Sequence, residues 1–175
     1  GNQTAIKWIS NNPEEQNRCL SYSELYDEVC RFANVLKSNG AKKGDRICLY
    51  MPMVPELAIA VLACSRIGAV HSVVFAGFSS TALAARINDA DCKMLVTADG
   101  SFRGSKTIDL KSIADEALAS CPSVEVSIVL KRINSNIELN DIDKWWHDEI
   151  SLASNECEAT GIDSEDPLFI LYTSG

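Results

Sequence analysis

Histidine and positive charge are what this chain has least of. Only His71 and His147 occur, and 16 Lys and Arg stand against 24 Asp and Glu, for a net charge of −8. General nucleic-acid binding needs a basic face, so that class is disfavoured, although a local basic spot is not. Neither histidine has a third ligand spaced near it, so no metal site is expected. His71 reads as a satisfied core histidine, and His147, beside two tryptophans, as packing. No apolar run reaches the length of a membrane span and no signal peptide opens the chain, so no membrane partner is expected. Gly-x-Ser-x-Gly is missing, so nothing points to Ser/His/Asp catalysis. Cys-x-x-Cys is missing too. The seven cysteines are odd in number and sit mostly inside apolar runs, which reads as buried, reduced thiols in an intracellular protein.

What is present is an ordinary globular composition, 46% apolar and 23% charged. It is organised around residues 45–80. Ile47 to Met51 is an apolar run after the turn Gly44-Asp45. Pro55 suits the first turn of a helix. Residues 56–66 are Ala-rich and apolar, and Gly68 is a natural stop. Val70 to Phe75 is rich in β-branched residues. The pattern is a βαβ unit with parallel strands and a buried helix. Open α/β sheets bind ligands at the carboxyl ends of their strands, which directs attention to Phe75-Ala76-Gly77.

Elsewhere, Thr4 to Ser10 suits an edge strand, with Arg18-Cys19-Leu20 as a hairpin partner. Ser21 and Glu24 form a capping box for a helix that places Leu25, Val29, Phe32, Ala33 and Leu36 on one face and ends at Gly40. Ser79 or Ser80 caps a helix through Ile87. Cys92 to Thr97 is a strand, residues 98–107 a loop, and Asp109 to Ser120 a helix with Leu110, Ile113 and Leu118 inward. Val126 to Leu130 is a strand, residues 134–143 a loop, and Asp143 to Ala153 a short helix carrying Trp145-Trp146-His147. The last strand is Leu168 to Tyr172. Alternating strands and helices predict an α/β fold, layered, with a mostly parallel sheet and helices on both faces. The expected organisation is opening strands in residues 1–20, an alternating core in 21–154 and an acidic solvated linker in 155–167. Residues 168–175 form a strand that runs into a loop. The chain begins without Met and stops directly after a strand, so it is expected to be part of a longer protein.

Two stretches could hold a phosphate. Thr173-Ser174-Gly175 follows a strand, and such a loop can present N–H and hydroxyl donors to phosphate oxygens. A plain turn is the reading the three residues support alone. Ser101-Phe102-Arg103-Gly104-Ser105-Lys106 places two cations around a glycine, which suits a phosphate group. Solvated loop charges are the alternative.

Three long motifs then occur in order: YMPMVPE at residues 50–56, LACSRIGAVHSVVFAGFS at 62–79 and DPLFILYTSG at 166–175. The chain resembles the AMP-forming acetyl-CoA synthetases of the adenylate-forming superfamily from residue 4 to its end. Propionyl-CoA synthetases share much of the pattern and stay open as the alternative, as does a non-catalytic nucleotide-binding module. The resemblance implies that Phe75, Ala76 and Gly77, with Arg103, Gly104, Ser105 and Lys106, contribute to the CoA site. It implies that Thr173, Ser174 and Gly175 open the ATP phosphate loop. Relatives often have Gly at position 76 and Arg at position 106. The intact enzyme would use acetate, ATP, CoA and Mg²⁺, with the C-terminal remainder of the same chain supplying the acetate pocket and the adenylation Lys. No catalytic residue is expected within these 175 residues, so the chain alone is expected to be inactive. A cytoplasmic location is expected, with nucleus and mitochondrion equally compatible.

Overall fold

A computed structural model describes residues 1–11, 14–104 and 106–173. The chain opens with a hairpin, β1 (Thr4–Trp8) antiparallel to β2 (Arg18–Ser21), which forms a small sheet of its own. Ser21 then caps α1 (Tyr22–Ser38). Its hydroxyl accepts from the Glu24 N–H, and the Glu24 carboxylate accepts from the Ser21 N–H at 2.8 Å, so both halves of the predicted box are made.

The βαβ unit follows as β3 (Arg46–Met51), α2 (Pro55–Ile67) and β4 (Val70–Phe75). Pro55 sits in the first turn of α2 and Gly68 caps its end. Next come α3 (Ser80–Asp89), capped by Ser79, and β5 (Met94–Ala98). Residues 98–107, expected as a loop, contain a β-hairpin of β6 (Ser101–Arg103) and β7 (Lys106–Ile108). Gly104 permits its turn with φ of 62°. After α4 (Leu110–Leu118) and β8 (Val126–Leu130), Asp143–Trp145 is a strand, β9, where a helix was expected. The helix α5 begins only at Trp146 and runs to Leu152. β9 exists because Ser127, Ile128 and Val129 offer a parallel partner, which residue periodicity cannot reveal. β10 (Phe169–Ile170) is shorter than the strand expected there.

Six strands make one parallel sheet in the order β10-β4-β3-β5-β8-β9. The crossover from β3 to β4 runs one way along the sheet, and those from β4 to β5 and β5 to β8 run the other. Right-handed connections therefore put α2 on one face and α3 and α4 on the opposite face. α1 packs on α2, and α3 on α4. Phe32, Leu36, Ile47, Leu49, Leu83 and Leu95 are fully buried between these layers. The expected α/β fold, a mostly parallel sheet with helices on both faces, is the one observed.

One further reading of the sequence changes. The acidic stretch is a strap held on α1 and α2. Arg31 donates to the Ala153 carbonyl, Asn34 to those of Ser154 and Glu156, and Arg66 to that of Cys157, all between 2.7 and 2.9 Å. Cys157 is buried while the acidic side chains face out. His147 packs as expected, its ring 5.4 Å from that of Trp145, although its side chain is half exposed beside Asp148. Its neighbour Trp146 is buried and stacks on Phe32 at 3.7 Å. All seven cysteines are free thiols, and six of them are buried. No described helix is long and apolar enough to cross a membrane.

Candidate functional site

Parallel strands deliver their carboxyl ends to one side of a sheet. Here four of those ends meet. Met51-Pro52-Met53 follows β3, Phe75 to Phe78 ends β4, the β6–β7 hairpin follows β5, and Leu171-Tyr172-Thr173 follows β10. Together they line a cleft of about 630 Å³. A smaller recess of about 300 Å³, lined by Trp8, Pro52, Met53 and Phe102 among others, adjoins it.

The β4 turn is built tightly. The Phe78 N–H donates to the Phe75 carbonyl at 3.0 Å, and the hydroxyl of Tyr50, from β3, donates to the Phe78 carbonyl at 2.8 Å. Burial pushes the Tyr50 phenol above its ordinary pKa, so it stays a donor. A Cβ on Gly77 would stand 2.5 Å from the Phe75 ring, so glycine here lets the ring lie over the turn. Phe75 is 66% exposed, an aromatic face open to the cleft, while Ala76 is buried beside it.

The hairpin is held from beneath. Asp99, fully buried at the end of β5, accepts the N–H groups of Arg132 and Ile133 at 2.7 and 3.0 Å and of Ser135 at 3.1 Å. The Arg132 guanidinium lies 4.8 Å from the Phe102 ring and 5.4 Å from that of Trp8. It grips Glu15 with two hydrogen bonds, at 2.9 and 2.7 Å. Burial opposes the Glu15 charge, but hydrogen bonds from Arg132 and Ser10 outweigh it and hold the carboxyl below its usual range. The Trp8 indole donates to the Met53 carbonyl at 2.8 Å, tying the opening hairpin to the rim of the cleft. Arg103 stands opposite Lys106 in the hairpin register, and both are exposed.

The structure thus brings Phe75, Ala76, Gly77, Arg103, Gly104 and Thr173 to one cleft. Lys106 is on the same hairpin but outside the lining. Ser105, Ser174 and Gly175 lie outside the described residues. Two lining residues had no signal in the sequence. Arg86 lies in the helix expected through Ile87 and Tyr172 ends the expected last strand, and neither was singled out. Met51 to Met53 could have been found, since they end a predicted strand. Arg86 and Arg103 are the charged residues of the lining, and no carboxylate is among the described residues that line it. On a chain of net charge −8, that is a local field for an anion with an aromatic group. No cluster of three or more His, Cys, Asp or Glu that could hold a metal ion occurs among the described residues. His71, expected to be satisfied, is buried with Nδ1 lacking a partner among the described residues, and burial pushes its pKa below the ordinary value.

The family model described as AMP-binding enzyme matches residues 1–175. An acetyl-coenzyme A synthetase of Bdellovibrio bacteriovorus is 50% identical over all of this chain and 27% of its own length. One from Gamma-proteobacterium EBAC31A08 is 54% identical over 99% of this chain and 27% of its own length. Acetyl-coenzyme A synthetase 2 of Pseudomonas aeruginosa is 52% identical, again over 27% of its length. The chain therefore spans about a quarter of these curated relatives. A solved structure of an acetoacetyl-CoA synthetase from Streptomyces lividans matches 99% of this chain and 26% of that one, with a TM-score of 0.90 at 24% identity, a likeness of fold.

Proposed function

The chain belongs to the AMP-binding enzyme family, and on that premise we propose that it forms the CoA-binding face of an acetyl-CoA synthetase. One observation carries this reading: a cleft at the strand ends with an exposed aromatic ring, two arginines and no lining carboxylate. The relatives' identity of 50 to 54% supports it. In the full-length protein the acetate carboxylate attacks the α-phosphorus of ATP, and pyrophosphate leaves. The CoA thiol then attacks the acyl carbon of acetyl-adenylate, its proton is lost, and AMP leaves.

Residues of this chain bind and orient. Phe75 offers its face to the adenine of CoA, and Gly77 keeps the backbone low beneath it. Arg103, with Lys106 beside it, pairs with a phosphate of CoA, where a guanidinium can donate twice. Thr173 stands at the threshold of the ATP phosphates, and Ser174 and Gly175 follow it in the sequence. Mg²⁺ would offset phosphate charge, but the described residues do not supply a cluster for it, so no step is assigned to it here. Neither adenylation nor thioester formation is assigned to a side chain of these 175 residues. The cytoplasm suits a protein whose seven cysteines are all free.

Acetate-dependent exchange of pyrophosphate into ATP by the full-length protein, with propionate in parallel, tests the reading. Preference for acetate supports it. Preference for propionate keeps the chemistry and changes the acid, a discrimination worth only about 1–3 kcal/mol per methylene. Absence of exchange with both acids from folded protein would overturn it.

A further inference from the structure

Resting on the function proposed above, we infer that Arg86 is a positioning residue that sets the CoA-side turn and the ATP-side strand end against one another. Its guanidinium carbon lies 4.4 Å from the Phe78 ring centroid and 5.2 Å from that of Tyr172. Phe78 follows Gly77 directly, and Tyr172 directly precedes Thr173. One flat cation on α3 therefore touches two of the four strand-end segments that line the cleft.

The grip on Tyr172 is double. Its hydroxyl donates to Asp89 Oδ2 at 2.7 Å and approaches the Arg86 carbonyl at 3.4 Å. Burial first, then the Asp89 carboxylate, pushes the phenol up to about 12, so the donor persists at any working pH. Arg86 is itself steadied by donating to the Ala82 carbonyl at 3.0 Å. The need for such a contact comes from β10, whose ladder with β4 has only two residue pairs. So short a ladder leaves the direction of Leu171 to Thr173 open, and α3 supplies what the sheet does not. Arginine suits the place because a planar, delocalised and weakly hydrated cation stacks on aromatic faces more readily than a compact, strongly hydrated ammonium.

The test uses the full-length protein and two readouts: the KM for ATP in acetate-dependent exchange and the KM for CoA in thioester formation. Arg86→Met should raise both, each by about three- to tenfold, the scale of one lost cation–ring contact. Arg86→Lys, which keeps the charge but not the plane, should fall between Met and the parent. Arg103→Ala should raise the CoA value alone. A shift in only one KM with Arg86→Met would overturn the inference, as would a fall in melting temperature with neither KM moved. If Arg86→Met does not fold, Arg86→Lys decides on the same two readouts. Lack of exchange in the parent protein removes the proposed function and this inference with it. Exchange in the parent with unmoved KM values in the variants removes the inference alone.

Discussion

The two edges of the parallel sheet are built to opposite plans. At the β8–β9 edge, charge is buried and used up internally. Lys111, 2% exposed, bonds Asp143 at 2.8 Å and also Asp115, and the Asn140 N–H donates to Asp143. Burial opposes the Lys111 charge, but the two carboxylates outweigh it and raise its pKa. At the β4–β10 edge the ladder is two pairs long, and Phe75, Phe169 and Leu171 are 54 to 69% exposed. One edge is closed by a buried ion pair, with Asp143 Oδ1 and Ser127 Oγ left without a partner among the described residues. The other leaves apolar side chains available, and the cleft opens beside it. Stability and binding should therefore respond to different substitutions.

The largest effect should come from breaking the closed edge. Lys111→Met strands the Asp143 carboxylate in the interior and should destabilise the chain by about 3–5 kcal/mol, read from the denaturant midpoint. Because the Lys111 pKa is raised on folding, its contribution is full below the unfolded value of about 10.4 and is lost as pH climbs through the folded value.

At the basic hairpin, which follows the interior strand β5, the same size of chemical change should leave stability alone. Arg103→Ala with Lys106→Ala should weaken CoA binding by the full-length protein by about ten- to a hundredfold, as for lost hydrogen bonds to charged groups. The midpoint should move by no more than about 0.5 kcal/mol. A titration by calorimetry and an unfolding curve check the two halves. Equal loss of stability would erase the distinction between the closed edge and the hairpin.

A smaller effect belongs to His71, in β4 and facing Phe169 at 5.8 Å. Its folded pKa is depressed by burial, so its contribution is present above the unfolded value of about 6.5 and is lost as pH falls below it. His71→Phe should reduce the drop in unfolding midpoint between neutral and mildly acidic buffer. An unchanged drop would assign it to other groups. The smallest effect should be at a surface pair outside both edges. Arg18→Ala removes a 2.7 Å contact to Glu56, and exposed pairs of this kind are worth about 0.2–1 kcal/mol.

Local patterns were legible without coordinates. The Ser21–Glu24 box, the βαβ unit from Arg46 to Phe75 and a cap at Ser79, one of the two serines read as candidates, are all contiguous signals, and they appear in the structure. So was the placement of part of the cleft lining, because Phe75 to Gly77 and the Arg103 turn follow strands whose parallel direction the alternation implies. β9 was misread as helix because three residues beside a tryptophan pair carry no period of their own. The stretch 155–167, read as a solvated linker, begins as a strap tied to α1 and α2, which the reading did not foresee. Its acidic side chains do face water, but carbonyls within residues 153–157 are held by Arg31, Asn34 and Arg66 from far along the chain.

By itself, then, the sequence determined most element types, β9 and the β6–β7 hairpin excepted, with the parallel sheet and which loops end on one side of it, since these follow from spacing within a dozen residues or so. Only the tertiary structure decided that Arg86 lies against Phe78 and Tyr172, that Arg132 supports the basic hairpin through Phe102, and that Lys111 is buried. Each of these joins residues of separate elements. A cation's partner is set by the path of the backbone, and a residue's own type does not name it.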